Sequence, residues 1–307
     1  MEVALKIDVD THQGLGQGVP RLMRLLEREN VAATFFVTMG PDNSGRAIVR
    51  VLRHRGFIGK MFRTSAVSMY GLRTVLSGTL LPARPIALAY PELMRSLRRA
   101  GFEVGIHGYD HARWQDRIDG LGEDGIRDEL GDAFEAYRAI FGEAAHSFAA
   151  PGWRTNAAAL VALDEANLSY RSDTRGRNPY RCVVEGRVIR TLEIPATMPT
   201  LDEVMGRRET ANGEAAMRFY LEQFKPDVLN VHTIHAETEG MGHLEMFAAL
   251  IRALKERGAK FIRLDQVATR LNAAELPLCE VIRNTLPGRA GWISAQGPEQ
   301  QPASSAA

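Results

Sequence analysis

The chain has 307 residues, with 38 Lys and Arg against 37 Asp and Glu and a formal net charge of +1, a balance that argues against general nucleic-acid binding. Its length allows a large core without cross-links, and with Cys182 and Cys279 as the only cysteines no disulfide framework is expected and a reducing compartment is favoured. Met1 leads straight into a strand-like run and no stretch of about 18 apolar residues occurs, so neither a signal peptide nor a membrane-spanning helix is expected.

The first apolar run, VALKIDV, predicts a strand that closes on Asp8 and Asp10 in LKIDVDTH. Side chains at i and i+2 of a strand share a face, so these two carboxylates crowd each other. A divalent metal, an arginine or a shared proton could relieve that repulsion. A helical pattern follows over 19–30, with Pro20 suited to a first turn, and then a second strand in ATFFVTM.

From Asn43 to Pro91 the chain contains no acidic residue, while Arg46, Arg50, Arg53, Arg55, Lys60, Arg63, Arg73 and Arg84 all fall there. This insert, about residues 43 to 90, interleaves its cations with residues such as Phe57, Ile58, Met61 and Phe62, the composition of helices that lie in a membrane interface. Arg53, Arg55, Phe57, Lys60, Phe62 and Arg63 are the candidate lipid contacts, each basic group adding about 1 kcal/mol near anionic lipid. The plainer alternative is a helical pair packed on the domain with a solvated basic face.

Beyond the insert, strands in FEVGIHG, HSFAAPG, LEIPAT, VLNVHTIH and KFIRL alternate with helical patterns over 91–100, 125–141, 156–166, 213–224 and 243–257. Continuous rather than alternating apolar strands between helices predict βαβ units and a parallel sheet or barrel. One domain is expected over 1–292, with 293–307, ending QGPEQQPASSAA, as a disordered tail.

The ionisable residues gather where predicted strands end. His107 and His111 follow FEVGI at a spacing that suits one metal when a helical turn lies between them. Asp173 follows SYRS, His232 and His235 close VLNVHTIH, and Arg154 follows AAPGW. Each has a plainer reading: Asp8 as an N-cap or a strand-end partner of a lysine such as Lys6, Asp10 as a turn cap, His232 as a supporting group or a packed residue, Arg154 as ligand of a helix carbonyl or carboxylate, His146 as a structural residue, and His12 and His54 as surface or lipid-side residues. Together they describe a site, because so much unpaired charge is too costly for a core. Two histidines and a carboxylate suit zinc, cobalt, manganese or nickel better than calcium or magnesium.

The order IDVD, IHGYDH, AAPGWR, RSD and TIHAE resembles the NodB-type polysaccharide deacetylases, metal-dependent hydrolases of N-acyl amino sugars on a distorted (β/α) barrel. The motifs GVPRL, FFVTMGPDNSGR, YRSDTRG, IPATMPTLDEV, TIHAETEG and GRAGW are similar to those of one branch of that family. That branch removes the formyl group from a 4-deoxy-4-formamido-L-arabinose carried on undecaprenyl phosphate, in the pathway that modifies lipid A. The resemblance implies Asp8 as catalytic base, Asp10, His107 and His111 as metal ligands, His235 rather than His232 as general acid, and Asp173 as an orienting acid. It also implies a lipid-linked sugar as partner and a cytoplasmic protein at the inner face of the inner membrane. Two other readings stand beside it: a deacetylase of another N-acyl amino sugar, and a non-catalytic binder of a lipid-linked sugar. The sequence departs from the family at Ala149, where an arginine is usual two residues before the proline. Arg154 is the candidate to restore that charge.

Overall fold

The computed structural model describes residues 1–46, 77–205, 210, 212–287, 289 and 291–300. The six proposed lipid contacts, Arg53, Arg55, Phe57, Lys60, Phe62 and Arg63, lie outside these residues, as does His54.

A mostly parallel sheet organises the chain. Its strands are β1 (Glu2–Val9), β2 (Thr34–Val37), β3 (Glu103–Ile106), β4 (Ser147–Phe148), β5 (Tyr170–Arg171), β6 (Tyr180–Val184), β7 (Arg187–Glu193), β8 (Leu229–His235), β9 (Lys260–Ile262), β10 (Leu278–Asn284) and β11 (Ile293–Glu299). Their order is β11-β10-β6-β7-β5-β4-β3-β2-β1-β8, with β9 joined to β1. The first half of β1 pairs with β9 and the second half with β2, while β8 runs along its other side, so the sheet fans out around β1. Among the described residues no ladder joins the two ends. The expected α/β fold is present, with the sheet open where a complete barrel would close.

Every residue of β1 after Glu2 is buried, as expected of a parallel strand covered on both faces. One face of the sheet packs with Leu22, Leu25 and Leu26 of the helix Val19–Arg28 and with Phe247, Leu250, Ile251 and Leu254 of the helix Leu244–Glu256. The helices Pro91–Arg99, Glu123–Phe141, Ala157–Glu165 and Gly213–Gln223 lie within a residue or two of their expected positions. At the N-terminal ends of the strands, Glu103 joins four segments. Its carboxylate accepts from Thr34 Oγ1 at 2.7 Å, Ser147 Oγ at 3.0 Å, the Tyr170 hydroxyl at 2.7 Å and Asp265 N at 3.0 Å.

β6, β10 and the first part of β7 fall outside the expected strands, of which LEIPAT reaches only to Glu193, and three further features differ from expectation. Residues 293–299 are not a disordered tail but β11, antiparallel to β10, which in turn pairs with β6. β11 carries Ile293, Ser294, Ala295 and Gln296 into buried positions, and these short side chains under a polar C-terminus gave little apolar periodicity to read. KFIRL ends as a strand at Ile262, because Arg263 caps the helix Leu264–Arg270. His111 opens a helix, His111–Arg117, N-capped by the Asp110 carboxylate, which accepts from Arg113 N at 3.0 Å.

Candidate active site

The carboxyl ends of β1, β3 and β8 meet at one place. Asp8 is directly opposite His235 in the β1–β8 register, and His107 continues from the end of β3, its N–H donating to the carbonyl of Val37 at 2.9 Å. His111 enters from the first turn of its own helix.

One ligand atom each from Asp10, His107 and His111 lies within 4.8 Å of the others. His107 Nε2 is 3.3 Å from Asp10 Oδ1, and His111 Nε2 is 3.5 Å from Asp10 Oδ2. His107 Nδ1–H donates to the carbonyl of Ala149 at 2.8 Å, which leaves the Nε2 lone pair facing Asp10 when the ring is neutral. Asp10 Oδ1 is buried without a hydrogen bond. Burial would push the Asp10 carboxyl up, but the charges of His111 and His107 outweigh it and hold the carboxyl well below the usual range. An anionic oxygen and two imidazole nitrogens converging in this way could hold a borderline divalent ion.

Asp8 lies on the buried side of this group. Its Oδ2 is 3.9 Å from His107 Nε2 and 3.6 Å from the ammonium of Lys6. Lys6 is completely buried, donates to the carbonyl of Ser172 at 2.9 Å, and sits against the rings of Phe36 and Trp153. A buried carboxylate without a cation is strongly destabilising, and here Lys6 supplies the positive charge that Ala149 lacks. Arg154 is directed elsewhere: Nη1 donates to the carbonyl of Gln115 at 2.6 Å, Nε to that of Trp292 at 3.1 Å, and its guanidinium lies over the Trp292 ring. Arg154 therefore does not take the place expected for it beside Asp8; it holds the loop that follows β10 through Trp292.

Asp173 is one layer deeper. It accepts from Ala150 N at 2.8 Å, and Arg171 Nη1 is 3.3 Å away. Burial and the neighbouring Glu193 push its carboxyl up to about 7, against the pull of Arg171 and Lys6. Asp173 therefore braces the loop after β4 through Ala150.

His235 faces the triad from β8. Burial pushes its imidazole down, but Asp10, Asp202, Asp8 and Glu239 outweigh this and raise it to about 9. His232, on the same strand, packs against Tyr220 and Phe224 with ring centroids 4.9 and 5.6 Å away. Burial, with Arg175 nearby, takes it down to about 3, so it is a neutral packed residue. His12, expected at the surface, is buried, its Nδ1–H donating to Pro85 O at 2.7 Å while Nε2 accepts from the Tyr90 hydroxyl at 2.8 Å.

The loops after β1 and β8 hold each other through carboxylates that sequence reasoning passed over. Glu237 Oε1 accepts from Asp10 N at 3.0 Å, Thr11 N at 2.9 Å and Thr11 Oγ1 at 2.8 Å. A Cβ on Gly14 would lie 1.9 Å from that oxygen, so a side chain there would displace the Glu237 carboxylate from these bonds. Glu239 accepts from His235 N at 2.9 Å. Asp202 acts on His235 through its charge, and His235 in turn is the main influence holding the Asp202 carboxyl down against burial. HAETEG and TLDEV held the signal, since acidic residues recur beside a strand-end histidine, but only the folded loops show which acid serves which neighbour.

A cavity of about 490 Å³ lined by Glu103, Tyr137, His146, Tyr170 and Arg263 opens at the opposite end of β3. The reactive groups described above lie at the carboxyl ends of the strands, the end where open α/β sheets place their ligands.

The family model for polysaccharide deacetylases matches residues 2–170, so the chain belongs to the polysaccharide deacetylase family. Within it, the chain is 33% identical over 295 residues to a probable 4-deoxy-4-formamido-L-arabinose-phosphoundecaprenol deformylase ArnD from Shewanella sediminis, covering 96% of this chain and 94% of the relative. A protein of the same name from Wigglesworthia glossinidia brevipalpis is 33% identical over 285 residues, covering 92% of this chain and 98% of that one. Among solved structures, a putative polysaccharide deacetylase from Mycobacterium smegmatis shares the fold with a TM-score of 0.63 at 22% identity, covering 93% of this chain and 94% of that one.

Proposed function

We propose that the protein is a metal-dependent hydrolase that removes the formyl group from 4-deoxy-4-formamido-L-arabinose-phosphoundecaprenol. The observation that carries the reading is the convergence of Asp10, His107 and His111 within 4.8 Å, with Asp8 and His235 beside them. The near full-length similarity to the two deformylases supports the choice of substrate.

A zinc, cobalt, manganese or nickel ion bound by Asp10, His107 and His111 would supply Lewis-acid polarisation and lower the pKa of water from about 16 towards about 7. Asp8 is the base: it takes a proton from the water that attacks the formyl carbon, with the Lys6 ammonium 3.6 Å from its carboxylate. His235, whose imidazole the acids around it raise, is the general acid and gives its proton to the sugar nitrogen as the C–N bond breaks. Formate and the free amine leave. Glu239 and Asp202 stabilise the imidazolium before transfer, and Glu237 keeps the Asp10 loop against β8.

Asp8→Asn is expected to bind a divalent ion as well as the wild type while losing about 10²–10⁴ in turnover, the usual worth of a positioned general base. Metal content and formate release measured on the same preparation test this. Near-normal turnover in the metal-loaded variant would remove Asp8 from the mechanism.

A further inference from the structure

The segment between β10 and β11 brings another cation, Arg289, within the electrostatic influence of Asp202 and Asp10. Arg289 stands on it between Leu286, which packs with Trp153, Ala196, Ile293 and Ala295, and Trp292, whose carbonyl accepts from Arg154. β11, which follows this segment, is tied to the strand ends below it. Thr155 N donates to Ser294 Oγ at 3.0 Å, Arg175 N to Ser294 O at 3.0 Å, and Gln296 N to Arg175 O at 2.8 Å.

The Arg289 guanidinium lies over the Trp153 ring, Cζ 4.6 Å from the centroid. Nη2 donates to the carbonyl of Gly152 at 3.3 Å, and Nη1 is 3.7 Å from Glu203 Oε1. Glu203 is already held by Arg175 Nη1, at 2.8 and 3.1 Å from its two oxygens. The Arg289 side chain is 15% exposed. A guanidinium has five N–H donors, and this one makes a single side-chain hydrogen bond among the described residues. Burial draws Arg289 below the ordinary arginine value even though Asp202, Glu203 and Asp10 pull the other way. Its acidic neighbours are thus Glu203, which it shares with Arg175, and Asp202 and Asp10 acting through their charge, while most of its N–H groups meet no acceptor among the described residues.

We infer that Arg289 binds the phosphodiester of the lipid-linked sugar whose amide is cleaved at the Asp10, His107 and His111 centre. A phosphodiester carries one negative charge, which one arginine matches, and the planar guanidinium offers two parallel N–H groups to two phosphate oxygens. Trp153 holds the guanidinium plane in place, so little order is lost on binding. The site would thus read both ends of the sugar: the amide at the metal ligands and the anionic linkage at Arg289. This inference rests on the deformylase reading for the presence of a phosphate.

The test compares two N-formyl substrates, one carrying a short prenyl phosphodiester and the other an uncharged methyl glycoside. Arg289→Ala is expected to lower the preference for the charged substrate, as a ratio of kcat/KM, by about 10- to 100-fold. The loss should fall mainly in KM, with Arg289→Lys recovering part of it. Equal losses on both substrates would show that Arg289 merely positions Asp202 and His235, and would overturn the inference, as would an unchanged preference in a variant whose melting curve matches the wild type. Direct binding of a short-chain prenyl phosphate, measured by isothermal titration calorimetry, separates this from the deformylase reading. Wild type that binds the probe through Arg289 yet releases no formate retains the anion site and loses the proposed reaction, whereas formate release without probe binding does the reverse.

Discussion

Asp8 and Asp10 illustrate how neighbouring identical residues acquire different work. Both lie on one side of the β1 end, but Asp8 is almost fully buried beside Lys6, while Asp10 is reached by His107 and His111. The plain reading of Asp8 as partner of Lys6 and the functional reading of Asp8 as base are the same arrangement, since the lysine stabilises the charge that the base needs. Lys6→Met should leave that carboxylate buried without a cation and cost about 3–5 kcal/mol. Urea unfolding of the metal-free protein measures it, and a cost below about 1 kcal/mol would mean that the pair contributes nothing beyond an exposed one. Lys6 was named from the sequence only as an ordinary strand-end partner. Its importance became visible when folding placed it beside Ser172, Trp153 and Asp8, from segments far apart in the chain.

Among the elements, the strands and helices of the first half were the most legible. β1, β2 and β3 are continuous apolar runs, and the helices between and after them carry Pro in their first turns or Gly beyond their ends. β5 and β4 have two residues each, too short for any periodicity, and the β6–β7 hairpin, which turns through Glu185 and Gly186 at positive φ, was passed over although apolar residues flank that turn on both sides. The acidic loop after β8 was quoted as a motif, but its function depends on contact with the loop after β1. Glu237→Gln should weaken the hold on Asp10 N, Thr11 N and Thr11 Oγ1, and is expected to lower metal affinity about 10- to 100-fold while the fold persists. Competition against a chromophoric chelator reads this directly, and unchanged affinity would confine Glu237 to holding the loops together.

For the whole molecule, the buried charges set a pH dependence. Burial pushes Glu239 and Glu237 each up to about 7, against His235 and the hydrogen bonds they accept. Their ordinary value is 4.5, so between there and about 7 the native state holds more protons than the unfolded chain, and stability falls as pH rises through that window. His235, raised from 6.5 to about 9, adds a loss in the same direction over its own interval. The metal-free protein should therefore melt at lower temperature at about pH 8 than at about pH 5, and Glu239→Gln should flatten part of that slope; a slope unchanged by the substitution would place the effect elsewhere.

The basic insert carries a separate expectation. No helix among the described residues is long and apolar enough to cross a membrane, and basic groups near anionic lipid contribute about 1 kcal/mol each. The protein should sediment with anionic liposomes, and a variant lacking residues 57–81 should not; equal partitioning would leave the insert with no part in lipid contact.

By itself the sequence determined the α/β class, the parallel strands and the residues that could bind a metal, because apolar runs and strand-end polar groups are local patterns. Tertiary structure alone decided that Lys6 rather than Arg154 stands beside Asp8, that Glu237 and Glu239 brace the loops that carry Asp10 and His235, and that β11 forms where a loose tail was expected. It also decided how Arg289 meets Trp153 and Glu203. Each of these depends on charges and backbone groups brought together from distant segments, and a buried charge is stable only where folding gives it a partner.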